Sequence, residues 1–393
     1  MENVFALVSP HIDEKSIKSY LEEKGLGSVE IWSQDNIPPF INPLEAIIIL
    51  LLSGGTELLV KRIVEKAFSN VYVNCVPVNN SLSAAAELKG YYSNNNEISI
   101  TSFSEETFNL LFNIENIKSS INKSKLLIIG RPQEWLLTSE NISAPAPFQS
   151  KLIPLNWREW QSTLSRMKQE EAIRESEYWD NRTDLGKISR EVFFNSGLLY
   201  VTFKFLLELH GANMLGIRCG ELQKFGAAVC LALDRLNEEG IITSCEGDIE
   251  AAFSMKILNS LTHTPCWMTN ISHIDFNTGK LFLTHCTMPV DMYSINRNKQ
   301  LSPESDYDFM EEFMKEKKSL DVTIFRLGKN LNFSILEGSM PQGIIGKFYH
   351  CRTTMEIQTE NSLHDWFDDI CGNHQIITYG KYAEQLRYFF SIL

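Results

Sequence analysis

Ala46-Ile-Ile-Ile-Leu-Leu-Leu52 is followed by Ser53-Gly-Gly-Thr-Glu57, by an amphipathic stretch to Phe68, and by Val71-Tyr-Val-Asn-Cys-Val76. Two short, largely apolar runs separated by a helix-period segment read as parallel strands joined by a crossover helix. Seven apolar residues are too few to cross a bilayer, which takes about 20 as a helix. Outward from this unit the pattern repeats: Val4-Phe-Ala-Leu-Val8 precedes an amphipathic Ile12 to Glu23, and Lys125-Leu-Leu-Ile-Ile-Gly130 supplies a later strand ending at a Gly-Arg-Pro turn. Strands alternating with helices predict an α/β fold with a doubly wound parallel sheet. This first domain is expected to span residues 1–165, and a charged helical stretch from Trp157 to Arg182 leads into a second α/β segment over 166–262.

The texture then changes. Pro265 to Asp275, a turn at Asn277-Thr-Gly-Lys280 and Leu281-Phe-Leu-Thr-His285 form a hairpin, and β-rich runs follow at Asp321 to Leu327, Asn332 to Leu336 and Gly343 to His350. Residues 263–393 are therefore expected to form an antiparallel β-barrel or sandwich, with helix returning only over Tyr382 to Leu393.

At 393 residues, 44% hydrophobic and 22% charged, the chain has ample core material for more than one domain. A net charge of −13 without a dense Lys/Arg run argues against nucleic acid and anionic membranes as partners and favours a small molecule. The eight cysteines are scattered, with no CxxC pair, and read as reduced thiols. With no secretory pattern at Met1-Glu-Asn-Val4, the expected location is the cytoplasm.

Chemistry-bearing residues concentrate between Gly211 and Ala252. Leu222, Phe225, Val229, Leu233 and Leu236 recur at helical spacing and Gly240 ends the run, which puts Glu221 at a helix N-terminus. Asp248 precedes a second helical pattern through Phe253, Ile257 and Leu261. Both carboxylates follow strand-like runs, where α/β proteins place ligands. Each also has a plain structural reading, Asp248 as a helix cap and Glu221 as a charge favoured by the helix dipole. Glu246, two residues before Asp248, is equally ambiguous between a functional carboxylate and a supporting group.

Ile217-Arg-Cys-Gly-Glu-Leu222, Ala228-Val-Cys-Leu-Ala-Leu233, Leu236-Asn-Glu-Glu-Gly-Ile241, Cys245-Glu-Gly-Asp248, Thr284-His-Cys-Thr-Met-Pro289 and Gly372-Asn-His374 with Ile376-Ile-Thr-Tyr-Gly380 together resemble the L-fucose isomerase and L-arabinose isomerase-like family of sugar isomerases. The first domain resembles it more loosely, through Ser53-Gly-Gly-Thr-Glu57, Asn79 to Glu87 and Gly130-Arg-Pro-Gln-Glu-Trp135. The resemblance implies an aldose-ketose isomerase for a hexose or deoxyhexose, in which Glu221, Asp248 and His374 hold a divalent cation, usually Mn2+. Glu221 and Asp248 would pass a proton between C1 and C2 through a cis-enediol. Asn373 and Trp135 read as contacts for the sugar, His285 as a contact for a sugar hydroxyl, a supporting residue or a satisfied core histidine, and Trp366 as an apolar wall for the sugar or a core residue. Arg131, at the end of a strand, offers a planar fork of donors that suits an anionic sugar such as sulfoquinovose, unless Glu134 pairs with it. The resemblance also implies a homo-oligomer, commonly a hexamer, in which a neighbour's segment from Asn79 to Glu87 completes the site. Two other readings remain: a non-catalytic sugar-binding or sensor protein of the same fold, and a metal-dependent hydrolase.

Overall fold

A computed structural model describes residues 4–24, 26–33, 47–67, 71–93, 98–102, 114, 116–180, 189–285, 319–341, 353–359, 361–391 and 393. It divides into two compact units, Met1–Glu115 with Glu384–Leu393, and Asn116–Ala383.

In the first unit, β1 (Val4–Leu7), α1 (Glu14–Glu23), β2 (Glu30–Trp32), β3 (Ile47–Leu51), α2 (Glu57–Lys66), β4 (Val71–Cys75), α3 (Ser81–Tyr91) and β5 (Ile98–Ser102) alternate. The five strands form one parallel sheet in the order β2-β1-β3-β4-β5. β3 is apolar along its length and β4 nearly so, Asn74 excepted, because covering helices leave neither face to water, and Ile47, Ile49, Leu51, Val71 and Val73 meet Leu59, Val60, Ile63, Ala84 and Leu88 in one core.

The second unit opens with β6 (Lys125–Ile129), β7 (Lys151–Leu155), α4 (Trp157–Leu164), α5 (Gln169–Asp180), α6 (Arg190–His210), β8 (Met214–Ile217), α7 (Val229–Glu238), β9 (Ile242–Ser244) and α8 (Ile249–Thr262). Its parallel sheet runs β7-β6-β8-β9. The expected boundary at residue 165 falls inside this unit, because β6 pairs with both β7 and β8 and binds the two α/β segments into one sheet. The helix expected from Leu222 begins only at Val229: Gly226, at φ +62°, interrupts the apolar stripe, and Cys219–Phe225 winds into a tight 3-10 turn instead.

A closed antiparallel barrel follows, β10 (Trp267–Asp275), β11 (Lys280–His285), β12 (Ser319–Leu327), β13 (Phe333–Pro341), β14 (Thr353–Thr359) and β15 (His374–Tyr379), with α9 (Leu363–Asp368) before β15 and α10 (Ala383–Ser391) after it. Its interior is lined by Trp267, Leu281, Leu283, Val322, Ile324, Leu336, Met355, Ile357 and Ile377. The expected strand Gly343 to His350 lies outside the described residues. α8 packs on β9, β12 and β15, so one buried helix joins sheet to barrel, and the Ser254 Oγ on it accepts a bond of 2.9 Å from the Leu327 N–H. α6 is long and apolar enough, by length and composition, to cross a membrane. Here Phe193, Leu199, Phe203 and Leu206 bury its apolar side, and Ser196 Oγ accepts from the Ala228 N–H at 3.0 Å, so packing accounts for that composition.

Candidate functional site

Within the second unit, the C-terminal ends of β6, β8 and β9 deliver three turns to one place. β9 ends in Cys245-Glu-Gly247, where Glu246 and Gly247 both take positive φ, +60° and +72°. A Cβ at Gly247 would lie 3.0 Å from Pro132 Cα, so only glycine lets this turn approach the end of β6. The Gln133 N–H donates to the Glu246 carbonyl at 2.9 Å, closing the two turns on each other. The turn Cys219–Phe225 after β8 also abuts Cys245–Gly247.

Asp248 caps α8, its Oδ1 accepting from the Ala251 N–H at 2.9 Å. The same carboxylate accepts a bidentate pair from Arg326 on β12, 2.9 Å at Oδ1 and 3.0 Å at Oδ2. Oδ2 also lies 2.7 Å from His374 Nδ1, at the start of β15. All three side chains are fully buried. Burial pushes the Asp248 carboxyl up, but the Arg326 charge and the bonds from His374 outweigh it and hold the carboxyl far below the usual range. Ser139 supports the cap from behind: its Oγ accepts from the Ile249 N–H at 3.0 Å and bonds the buried Glu250 carboxyl, whose own pKa burial raises.

The ionised Asp248 fixes the histidine tautomer. A carboxylate only accepts, so the proton of this bond sits on His374 Nδ1, and in the neutral ring it is Nε2 that carries the lone pair. Nε2 is buried without a hydrogen-bond partner and faces Glu246 Oε2 at 3.7 Å. Two acceptors facing one another are stable only with a proton or a cation between them. Two ligands each about 2.0 to 2.2 Å from one ion stand roughly 3 to 4 Å apart, so the pair fits a cation. Glu246 Oε2 is steadied by the Trp135 indole N–H at 2.6 Å, and Trp135 exposes 59% of its surface.

The expected site residues separate into groups. Asp248 and His374 meet directly. Glu221 Oε1 lies 3.7 Å from Arg218 Nε, and Arg218 is itself held by both oxygens of Glu134, at 2.7 and 2.9 Å, and by the Pro132 carbonyl. Among the described residues no three His, Cys, Asp or Glu side chains are grouped so as to hold a metal ion. His285 is buried with its ring centroid 5.9 Å from that of His374, and burial, with His374 second, pulls its pKa down to about 4. Asn373 is exposed, and its Oδ1 accepts from Asn270 Nδ2 at 3.3 Å. Arg131 is exposed and has no ion-pair partner among the described residues, since Arg218 holds the Glu134 expected to neutralise it. Trp366 is only 4% exposed and packs with Leu363 into the barrel core, the second of the two readings open to an aromatic there.

Arg326, Ser139 and Asn270 escaped the sequence reading. Asn270 sits directly across the β10–β15 pairing from His374, a relation visible only once register is known. Arg326 did leave a signal, because Val322, Ile324 and Arg326 alternate on one face of a strand, and a charge at a core-facing position implies a buried partner.

No family model matches the chain. It is similar to the sulfoquinovose isomerase of Alkalicoccus urumqiensis, 29% identical over 194 residues that cover 44% of this chain and 41% of the relative. It is also similar to the sulfoquinovose isomerases of Priestia aryabhattai and Priestia megaterium, each 27% identical over 184 residues, 42% of this chain and 41% of theirs. The match thus spans about two fifths of the length of these curated relatives.

Proposed function

We propose that this chain is an aldose-ketose isomerase acting on a sulfonated hexose of the sulfoquinovose type, with a divalent cation such as Mn2+ held by His374 Nε2 and Glu246. One observation carries the cation site: a buried, unpartnered imidazole nitrogen facing a carboxylate oxygen at 3.7 Å, with an ionised Asp248 locking the other nitrogen. A metal-bound histidine that donates its second N–H to a carboxylate is a recurrent arrangement. This assigns Asp248 to orient the ligand, although Asp248 and Glu221 were the carboxylates expected to bind. The names of the relatives support the substrate class.

When bound, the cation supplies Lewis acidity to a sugar carbonyl and the hydroxyl beside it, which acidifies the neighbouring C–H. The chain supplies the rest. Arg326 keeps Asp248 ionised, and Asp248 keeps the proton on His374 Nδ1. Glu246 is held in place by the indole of Trp135, whose exposed ring offers an apolar face to a sugar. Asp248 has both oxygens engaged, by Arg326 and by His374, so the transfer between C1 and C2 falls to Glu221, on the turn that abuts Glu246. His285, held neutral by burial, and Asn373 are proposed hydrogen-bonding partners for sugar hydroxyls, and the exposed guanidinium of Arg131 for the sulfonate.

The active form is proposed to be a homo-oligomer, hexameric as in the family it resembles, with a neighbour's Asn79 to Glu87 reaching the site. Light scattering tests this, and a fully active monomer would dismiss it. A sugar-binding protein without catalysis is the second reading, favoured by the lack of a ready three-ligand group among the described residues. Turnover of sulfoquinovose that stops on chelation and returns with Mn2+ is the result expected of the enzyme. Tight sugar binding without turnover, with or without Mn2+, would select the second reading.

A further inference from the structure

Three thiols from separate elements converge behind the site and take no part in the proposed chemistry. Cys219 leads the turn after β8, Cys230 lies in the first turn of α7, and Cys245 opens the turn after β9. The turns that carry Cys219 and Cys245 abut each other, Cys230 and Cys245 line one small cavity, and the Cys219 and Cys230 thiols both lie beside that of Cys245. β8 and β9 are neighbouring parallel strands in register up to Gly216 and Ser244, so the Cys219 and Cys245 turns leave the same edge of the sheet side by side. Their exposures differ: Cys219 is partly exposed and Cys245 buried. A cavity of about 30 Å3, room for one small polar molecule, lies against Cys245 and is lined also by Cys230, Cys266, Met255, Met268 and His285.

We infer that Cys219 and Cys245 are a peroxide-oxidisable dithiol whose disulfide links the turns carrying Glu221 and Glu246. The sulfur of the partly exposed Cys219 attacks a hydroperoxide: an S–O bond forms, the O–O bond breaks, and the leaving alkoxide or hydroxide takes up the thiol proton. The Cys245 sulfur then attacks the Cys219 sulfenic acid. The S–S bond forms, the S–O bond breaks, and hydroxide leaves with the Cys245 proton as water. Two thiols are thereby oxidised by two electrons, and the peroxide is reduced to water and an alcohol or a second water. The two sulfurs must draw together to about 2.05 Å, and that pull acts on Cys245, the residue immediately before Glu246. A displacement of about 1 Å at a catalytic group can cost up to 10²-fold, so the disulfide form should turn over about tenfold more slowly or worse.

The test treats the full chain with hydrogen peroxide and reads the intact mass, the cross-linked peptides and turnover of sulfoquinovose. The expected product is lighter by two hydrogens, carries a Cys219–Cys245 cross-link, turns over about tenfold more slowly or worse, and recovers fully in dithiothreitol. Cys219→Ser should keep basal turnover and form no cross-link. Cys245→Ala should instead leave the Cys219 sulfenic acid open to trapping by a thiol reagent. Oxygen adducts without a cross-link, a bond to any other cysteine, or a cross-linked protein with undiminished turnover would overturn the inference. Mass and peptide mapping report the bond whatever sugar the protein uses, so failure here is separable from failure of the isomerase reading.

Discussion

Asp248, His374 and Arg326 are sealed from water, whereas Trp135, Arg131 and Glu221, around the same strand ends, are open to it. In the sealed group every charge has a partner across a long stretch of chain, and the geometry is over-determined by an N-cap, a bidentate guanidinium and an imidazole. At the open rim the interactions are single and screened, as suits groups that meet a ligand. The contrast teaches a division of labour: the buried carboxylate sets which histidine nitrogen is available, and the rim decides what meets it. Substitutions in the two groups should therefore fail in different ways.

The largest effect is expected at the junction of the two. Glu246→Gln keeps the volume of the side chain and removes its charge, and should lower kcat/KM by about 10³-fold, roughly 4 kcal/mol, while the melting temperature barely changes. A variant within tenfold of the natural protein would place the cation elsewhere. Next is Asp248→Asn, which strands Arg326 as a buried unpaired charge and should destabilise the fold by about 3 to 5 kcal/mol, read by urea denaturation. Because the folded Asp248 titrates below its unfolded value of about 3.9, its stabilisation is complete above that pH and is lost as pH falls below it. The Asp248→Asn protein should accordingly show a flatter loss of stability with acid below about pH 4. An unchanged acid slope would mean that the ion pair contributes nothing.

Arg131→Ala should weaken sulfoquinovose and other anionic sugars by about 1.5 to 3 kcal/mol and spare L-fucose, measured as kcat/KM on each. Equal loss on both kinds of sugar would make Arg131 structural. The smallest effect belongs to Trp135→Phe, which keeps an apolar ring and deletes the N–H bond to Glu246. At a half-open site a loss of about 0.5 to 1.5 kcal/mol in kcat/KM is expected, without change in stability. A fall in stability of that size would move Trp135 into the structural group.

Much of this organisation was legible in the chain before the fold was known. Ile47–Leu51 and Val71–Cys75 announced a buried parallel sheet, the alternating runs after Pro265 announced the barrel, and Asp248 stood where a helix cap belongs. Glu246 against Asp248 was not legible, since the two lie in one turn and the positive φ at Glu246 decides which carboxylate faces the histidine nitrogen and which lies behind it. No spacing rule foretells that. The pairing of Arg326 with Asp248 joins residues 78 apart through barrel closure. Trp366 was open to both readings because an aromatic in a terminal segment has the same local pattern whether it lines a site or fills a core.

The most direct measurement is manganese binding by isothermal titration to the chelated natural protein and to its Glu246→Gln, His374→Gln and Glu221→Gln variants, with sulfoquinovose turnover followed in parallel. The account predicts one site per chain, lost in the first two variants and kept in Glu221→Gln, whose turnover alone collapses. Sulfoquinovose turnover that persists in chelator, or manganese binding that survives both Glu246→Gln and His374→Gln, would contradict it.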